Sequence, residues 1–185
     1  AVEDYDGSSW ESAPVLNTAR QYAGGCGTQT AAITYGGGPP EITTTEEYNG
    51  SSWSTQPNSM STARRAFASF GIQDAAVAAG GTTGPAVTAA TEEYNGTSWT
   101  TGGVLPTGTS GLMGCGATQT AALAFGGYQP SKVTTTVGYD GTSWSTRPSM
   151  GGATAEGSGA GTNIAALSIG GSPAETGVEE FTGDT

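Results

Sequence analysis

The stretch that decides the fold is Tyr94-Asn95-Gly96-Thr97-Ser98-Trp99, which the chain contains in four closely similar repeats. Every repeat keeps a spacing of five residues from tyrosine to tryptophan, and the variation exchanges only Asn with Asp and Ser with Thr. Successive tryptophans are 43, 46 and 45 residues apart. A period of this length predicts stacked structural repeats of one kind. The other repeats are Tyr5-Asp6-Gly7-Ser8-Ser9-Trp10, Tyr48-Asn49-Gly50-Ser51-Ser52-Trp53 and Tyr139-Asp140-Gly141-Thr142-Ser143-Trp144, and Phe181-Thr182-Gly183-Asp184 begins a degenerate fifth.

A pair of adjacent glycines forms a second anchor, 26 or 27 residues after each tryptophan. Each pair ends a short apolar run such as Ala121-Ala122-Leu123-Ala124-Phe125, and such a run predicts a strand buried on both faces. The chain between each glycine pair and the next aromatic residue varies in length, which is typical of a surface loop. The four pairs are Gly36-Gly37, Gly80-Gly81, Gly126-Gly127 and Gly170-Gly171.

Each repeat is predicted to contain four short antiparallel strands. In the first full repeat we expect them at 22–26, 31–35, 43–48 and 51–55. The third strand is rich in threonine, which suits a pleated sheet. The Asn-Gly or Asp-Gly pair predicts a two-residue hairpin turn in which both turn residues have positive φ. Four antiparallel strands in a unit of roughly 45 residues predict an all-β fold, in which each unit is one blade of a β-propeller.

The repeats divide the chain into blades within a single domain that covers residues 1–185. We expect blades at about 11–53, 54–99, 100–144 and 145–185, with residues 1–10 as N-terminal strands that could complete the last blade. Residues 2–5 and 178–181 would then compete for one position, since both resemble a third strand. The sequence therefore leaves three arrangements open: a closed four-bladed ring, a larger ring built with further sequence or a second chain, and an open stack.

Composition excludes several classes of function. The chain has no histidine, and this excludes histidine-based acid–base catalysis, a Ser-His-Asp triad and the common zinc sites. The chain contains five Lys and Arg residues and 16 Asp and Glu residues, which give a net charge of −11. No basic surface for nucleic acid is therefore expected. No apolar run reaches the length of a membrane span. We therefore expect no enzyme activity, no catalytic residue, no metal, no cofactor, no nucleic-acid partner and no membrane insertion.

Acidic pairs precede the aromatic residue in four of the five repeats, and Val137-Gly138 takes their place in the other. Neighbouring residues on a strand point to opposite faces, so one acid of each pair is predicted to face solvent and the other to pair near a blade edge. Binding of Ca²⁺ is the alternative. The pairs are Glu3-Asp4, Glu46-Glu47, Glu92-Glu93 and Glu179-Glu180.

The two cysteines and two possible glycosylation sites have simple structural interpretations. Cys26 and Cys115 lie in glycine-rich strands, where we expect two small buried thiols, and a mutual disulfide is the alternative. The tripeptides starting at Asn49 and Asn95 fit the glycosylation pattern. Each coincides with the hairpin turn, and the turn alone accounts for the asparagine.

The invariant spacing of the tyrosines and tryptophans predicts that their rings pack between blades and do not form platforms for a ligand. A partner is instead expected at the loops that follow the glycine pairs. Arg64 and Arg65 could also contact a partner or hold the first strand, and the four arginines do not fall at equivalent repeat positions. The candidate binding residues are Pro39, Pro40, Glu41, Thr83, Tyr128 and Gln129.

The order glycine pair, tyrosine, tryptophan closely resembles the kelch repeat. Pro57, Met60 and Arg64 after Trp53 resemble the kelch segment that joins one blade to the next. The compact repeats, such as residues 91–99 and 116–127, also resemble kelch-like arrays encoded by bacteriophages, especially marine ones. This resemblance implies a β-propeller in a virion appendage or surface decoration, such as a tail fibre or capsid decoration. The missing histidine separates the chain from WD40 propellers and from kelch-type copper oxidases.

Three functions remain open at this stage. The favoured interpretation is a non-enzymatic structural or adhesive propeller on a virion or extracellular surface, with other structural proteins or additional copies of itself as partners. The second is a glycan-binding propeller that uses the loops after the glycine pairs. The third is a kelch-type protein-interaction module inside a cell.

Overall fold

A computed structural model describes residues 1–173 and 176–183, and within them the secondary structure consists of β-strands. Three four-stranded antiparallel sheets and one three-stranded sheet are arranged as the four blades of a β-propeller. The predicted all-β fold is confirmed. Blade 1 contains β3 (Gly24–Thr28), β4 (Ala31–Tyr35), β5 (Thr45–Tyr48) and β6 (Trp53–Thr55), and blade 2 contains β7 (Ala68–Ile72), β8 (Ala75–Ala79), β9 (Thr91–Tyr94) and β10 (Trp99–Thr101). Blade 3 contains β11 (Met113–Thr118), β12 (Ala121–Phe125), β15 (Thr136–Tyr139) and β16 (Trp144–Arg147), and blade 4 contains β17 (Ser158–Gly161), β18 (Ala166–Ile169) and β19 (Val178–Phe181).

Each blade is a simple antiparallel meander, because every strand pairs with the next one in its repeat. The first strands contact one another in the order β3, β7, β11 and β17. They therefore form the inner wall of the propeller. Two short hairpins lie outside the blades: β1 (Val2–Tyr5) with β2 (Trp10–Ala13), and β13 (Tyr128–Gln129) with β14 (Ser131–Lys132).

The turn between the third and fourth strands differs from the predicted two-residue turn. Tyr94 pairs with Trp99, so the loop has four residues and the fourth strand begins at the tryptophan. Gly96 has a positive φ of 85°, but Asn95 does not. Oδ1 of Asn95 instead accepts hydrogen bonds from the N–H groups of Thr97 and Ser98, at 3.0 and 2.9 Å. A carboxylate can accept the same bonds, which explains why two repeats carry Asp here.

The glycine pairs allow neighbouring blades to touch through their backbones. Gly80 and Gly81 both have positive φ, at 72° and 97°. The N–H of Gly81 donates to the carbonyl of Thr109 in the next blade at 2.7 Å. A Cβ at Gly80 would lie 2.5 Å from the same carbonyl oxygen, which is too close for any side chain. The pair is therefore required by the blade-to-blade contact as well as by the turn.

The repeated tyrosine and tryptophan lie between blades and bond to the preceding one. In blade 2 the indole Nε1 of Trp99 donates to Oγ1 of Thr45 at 2.9 Å, and the Tyr94 hydroxyl donates to Glu47 at 2.7 Å. In blade 3 the corresponding bonds run from Trp144 to Thr91, at 3.0 Å, and from Tyr139 to Glu93, at 2.5 Å. A short apolar cluster fills each interface around these rings. The constant spacing of tyrosine and tryptophan thus reflects one type of blade-to-blade interface that is repeated along the chain.

The acidic pairs of blades 1 and 2 do not place one carboxylate in solvent, so that expectation is wrong there. Glu46 and Glu92 are buried, with exposed fractions of 0% and 3%. Each accepts a salt bridge from an arginine, Arg20 or Arg64, that is also almost fully buried. The second acid of each pair, Glu47 or Glu93, is half-buried and accepts the tyrosine hydroxyl of the next blade. Both acids are therefore structural.

Arg20 and Arg64 occupy equivalent repeat positions, so the expectation that the four arginines are not equivalent is wrong for this pair. Arg64 donates to the carbonyls of Gly80 and Ala90 at 3.0 and 2.6 Å, and to Glu92 at 3.0 Å. Arg20 makes the same set of bonds one blade earlier, to Gly36, Thr44 and Glu46. Each arginine thus joins the second and third strands of its blade to the segment that enters the first strand.

The ring is not packed shut between blades 1 and 4. The face that blade 4 presents away from blade 3 exposes Leu167, Ile169 and Val178 by 39%, 41% and 60%. The equivalent residues of blade 3 are buried, because blade 4 covers them. In the described residues β2 pairs with β1, and β19 pairs only with β18. The strand exchange that could complete the last blade is not formed in this structure.

Candidate functional site at the mouth of the propeller

The loops after the glycine pairs and the segments that enter the first strands meet at one end of the propeller, which we call the mouth. The second strand of each blade ends here and the third begins here. A cavity of about 350 Å³ opens at this end, and all four blades contribute to it. Its lining residues are Tyr22, Arg65, Ala66, Thr82, Val87, Ser110, Gly111, Tyr128 and Glu156.

Four equivalent residues with left-handed backbone form the frame of the mouth. Tyr22, Ala66, Gly111 and Glu156 have φ values of 52°, 53°, 60° and 65°. This conformation costs roughly 1 kcal/mol for a residue with a side chain. The N–H of Ala66 donates to the carbonyl of Tyr22, Gly111 donates to Ala66, and Glu156 donates to Gly111, at 3.0, 2.7 and 2.9 Å. These bonds link successive blades and hold the strained residues in place.

A charged group stands beside an exposed aromatic ring at the mouth. Nη1 of Arg65 lies 3.0 Å from Oε1 of Glu41, which belongs to the loop of the neighbouring blade. Oε1 of Glu41 has no hydrogen-bond partner, so its contact with Arg65 is an ion pair of electrostatic character. The guanidinium also lies 6.0 Å from the ring centre of Tyr22. Tyr22 and Tyr128 keep 59% and 47% of their surface exposed, so both rings are available to a partner.

The sequence-predicted binding residues have different surroundings. Glu41 pairs with Arg65, and Tyr128 lines the mouth. Thr83 uses its hydroxyl to close its own loop by bonding the carbonyl of Ala86 at 3.2 Å. Gln129 donates to the hydroxyl of Thr109 at 2.6 Å and so faces the blade interior. Pro39 and Pro40 are exposed.

Two mouth residues, Tyr22 and Glu156, were not identified as binding residues from the sequence. Tyr22 was assigned to the first strand, which the structure begins only at Gly24. Both residues stand at the same distance before the inner strand of their blades. Alignment of the repeats on the first strand, instead of on the tryptophans, would have placed Tyr22, Arg65 and Glu156 at one end.

The two cysteines lie on the inner strands, and both are free thiols. Burial raises the pKa of Cys115 to about 11 and that of Cys26 to about 12. Cys115 is buried, as predicted, whereas Cys26 is only partly covered. Both thiols are therefore protonated at neutral pH, and neither is activated as a nucleophile.

The mouth offers aromatic faces and an ion pair, which together suit recognition of a polar surface. Within the described part of the chain, no group of three or more acidic or cysteine side chains is placed to hold a metal ion. The same residues include no helix with the length and apolar character of a membrane span. Compared with known protein families and with curated protein sequences, the chain has no significant match in either.

Proposed function

We propose that this chain is a non-enzymatic structural and adhesive propeller on the exterior of a virus particle or cell. The mouth is its attachment surface. The observation that carries this proposal is the pair of exposed rings, Tyr22 and Tyr128, in a cavity that also holds Arg65 and Glu156. Exposed aromatic surface rimmed by polar groups is typical of interaction sites in soluble proteins.

The exterior location is supported by sequence resemblance. The order of glycine pair, tyrosine and tryptophan resembles kelch repeats, and the compact form of these repeats resembles arrays of bacteriophage appendages. In such arrays the propeller would serve as a tail-fibre or capsid-decoration module. The low lysine content and the abundance of small hydroxyl residues fit a protein exposed outside a cell.

Glycan binding is a second candidate function, and the exposed rings favour it. Tyrosine combines a flat apolar face with a polar hydroxyl, so it can pack on a sugar ring while neighbouring polar groups bond its hydroxyls. Glu41, Arg65 and Glu156 provide such groups at the same mouth. A protein partner would use the same surface, so the two candidates differ in ligand and not in location.

Location can be tested by immunogold labelling of intact source particles or cells with an antibody against this chain. Surface labelling without permeabilisation is expected. Labelling only after permeabilisation would contradict the exterior location and favour an intracellular interaction module.

The attachment surface can be tested with a double variant, Tyr22→Ala with Tyr128→Ala. Binding of the labelled chain to the source surface, or to an array of glycans, is expected to fall about tenfold or more, because both exposed rings are lost. Val104→Ala is the matched control, since Val104 is 65% exposed and lies outside the mouth. Unchanged binding by the double variant would exclude the mouth, and clean negatives across the glycan array would exclude the second candidate.

A further inference from the structure

The hairpin loops that join the third and fourth strands lie at the end of the propeller opposite the mouth. Two of these loops begin with asparagine and glycine, as Asn49-Gly50 and Asn95-Gly96, and both asparagines are exposed. In an Asn-Gly pair the backbone nitrogen of the glycine can attack the side-chain amide carbon, because glycine has no side chain that blocks the approach. Whether the attack occurs in a folded protein depends on which atoms of the pair the loop holds.

The attacking nitrogen is available in both loops. Among the residues that the structure describes, none accepts a hydrogen bond from the N–H of Gly50 or Gly96. A Cβ built on either glycine would meet its nearest atom, in Thr30 or Asp74, at 3.4 Å, which is an ordinary contact distance. The nitrogen is therefore neither bonded nor crowded on the side of the missing side chain.

The loop holds the amide that would be attacked by its oxygen and leaves its nitrogen free. Oδ1 of Asn95 accepts hydrogen bonds from the N–H groups of Thr97 and Ser98 at 3.0 and 2.9 Å. Oδ1 of Asn49 accepts the two equivalent bonds, both at 2.9 Å. Two N–H donors at this distance stabilise an oxygen that becomes negative during acyl transfer. In the described part of the chain nothing accepts a bond from Nδ2 of either asparagine, and this nitrogen is the leaving group.

The fold already contains the product of such a reaction in two other loops. Asp6 and Asp140 occupy the position of the asparagine in the first and fourth repeats. Oδ1 of Asp140 accepts from the N–H groups of Thr142 and Ser143 at 2.8 and 2.7 Å. These bonds, first from Ser143 and then from Thr142, hold the pKa of Asp140 below its usual value. A carboxylate formed in either of the other loops would therefore keep the same bonds.

We propose that Asn49 and Asn95 are sites of spontaneous deamidation, and that the folded loop assists the reaction through the two N–H groups that bind Oδ1. A base from solvent takes the proton of the Gly96 nitrogen as this nitrogen bonds to Cγ of Asn95. Negative charge develops on Oδ1, where the loop N–H groups stabilise it. The Cγ–Nδ2 bond then breaks, Nδ2 takes a proton from water, and ammonia leaves a succinimide ring.

Water completes the reaction by opening the succinimide ring. Its oxygen bonds to Cγ, the bond between Cγ and the Gly96 nitrogen breaks, and that nitrogen recovers a proton. The product is aspartate in an intact backbone, while attack on the other ring carbonyl gives isoaspartate. One water is consumed for each ammonia released, and no atom changes its oxidation state.

Two other asparagines provide comparisons within the same chain. The N–H that follows Asn17, that of Thr18, donates to Glu46 at 3.0 Å. Nδ2 of Asn17 donates to the carbonyl of Trp53, and Nδ2 of Asn58 donates to another backbone carbonyl, both at 3.0 Å. A residue with a side chain follows each of them. We therefore expect neither to be deamidated while the two loop asparagines are converted.

The experiment is to incubate the folded chain at mildly alkaline pH in heavy-oxygen water and to follow each asparagine by mass spectrometry of its peptides. Conversion of Asn49 and Asn95 is expected, with one heavy oxygen in each product, while Asn17 and Asn58 stay intact. The net charge should shift from −11 to −13, which isoelectric focusing resolves as two successive acidic species. A synthetic peptide of residues 91–101 is the unfolded reference, and the folded chain is expected to react at least as fast.

A matched variant separates the effect of the loop from that of the dipeptide. Ser59→Gly gives Asn58 a following glycine outside a hairpin loop, where its Nδ2 is bonded, so Asn58 should still react more slowly than Asn95. Gly96→Ala should slow the reaction of Asn95 and leave that of Asn49 unchanged in the same molecule. If the positive φ of 85° at Gly96 makes this variant unfold, Ser59→Gly alone decides.

The product can be tested directly with the double variant Asn49→Asp, Asn95→Asp. It should fold like the unmodified chain, with an unfolding temperature that is equal or higher at neutral pH. Because the loop lowers the pKa of the aspartate, any added stability is present above about pH 4 and is lost as the pH falls. A double variant that does not fold would show that the loops of blades 1 and 2 do not accept a carboxylate.

Three results would overturn the proposal. The first is a folded chain whose loop asparagines stay intact while the peptide reacts, because the fold would then protect them. The second is equal conversion of Asn17, and the third is equally fast conversion of Asn58 in the Ser59→Gly variant. The outcome is independent of the proposed function, because it requires neither the mouth nor a native location.

Discussion

At the scale of single residues, the positions at which one residue replaces another between repeats show what each side chain contributes. Asn49, Asn95, Asp6 and Asp140 all cap the same four-residue loop with a side-chain oxygen. The hydrogen bonds to this oxygen, first from Ser9 and then from Ser8, lower the pKa of Asp6 to about 2. The carboxylate is therefore ionised at any ordinary pH, and it accepts the same bonds as the asparagine amide. The loop therefore requires a hydrogen-bond acceptor at this position and not a residue with a left-handed backbone conformation.

Trp53 is an exception at this scale, because its buried indole nitrogen has no hydrogen-bond partner. The position occupied by Thr45 and Thr91 opposite the other tryptophans is taken by Val2 in the N-terminal hairpin. We predict that Val2→Thr provides the missing acceptor and raises the free energy of unfolding by about 1 kcal/mol. Urea denaturation measures the change. Val178→Thr is the matched control, since Val178 is the repeat equivalent of Val2 and is 60% exposed, and an equal gain there would contradict the explanation.

The thiols provide a second prediction at the residue scale. The pKa of Cys115 is raised from 9.0 to about 11 by burial, so the thiolate fraction of the folded chain at pH 8 is about 100-fold lower than for an ordinary thiol. We expect both cysteines to react slowly with a thiol reagent when the chain is folded and rapidly when it is unfolded in urea. Fast labelling of the folded chain would show that the inner strands open.

At the scale of the blade, a set of three residues forms one structural unit. Glu92 accepts bonds from the N–H of Ser61, at 2.6 Å, and from Arg64. In blade 3 the equivalent positions hold Val137, Pro106 and Thr109, so acceptor, N–H donor and guanidinium are absent together. A proline cannot donate, and a valine needs no donor. The exchange of the whole set explains how one blade loses a buried ion pair and still folds.

This interpretation predicts strong coupling within the set. Arg64→Thr alone leaves the Glu92 carboxylate buried without its countercharge, and we expect a loss of about 3–5 kcal/mol in stability. The triple variant with Glu92→Val and Ser61→Pro reproduces the blade 3 solution and should recover more than half of that loss. A double-mutant analysis of urea denaturation measures the coupling. Additive losses would show that the three residues act independently.

At the scale of the whole molecule, the tryptophans have the same sequence context but different roles. Trp99 fills an interface between blades, whereas Trp10 projects into solvent. We predict that Trp99→Ala lowers the free energy of unfolding by about 3–5 kcal/mol, because it empties a packed interface. At low protein concentration Trp10→Ala should change it by less than about 1 kcal/mol. Thermal denaturation followed by circular dichroism measures both, and equal effects would contradict the open seam.

Much of this architecture could be predicted from the sequence because the repeat is regular. The spacing of Tyr94 and Trp99 and the apolar run before Gly126 indicated strand order, blade length and the all-β fold. The two-residue turn was wrong because the Asn95 side chain caps a longer loop by accepting from the nearby Thr97 and Ser98 N–H groups. The solvated acids were wrong because their partners, such as the Arg64 side chain, come from another segment, and a local pattern does not reveal them. Tyr22 was missed at the mouth because its neighbours there come from other blades.

The sequence by itself determined that this chain is an all-β array of four similar propeller blades, since strand alternation, turn residues and glycine pairs are local features, but it left the closure of the ring open. Only the tertiary structure decided which face of each blade is covered and which is left open. Burial depends on the neighbour, and identical strands have different neighbours at the two ends of the array. Trp10 and Trp99 therefore share a motif, yet one completes the core and the other is left exposed.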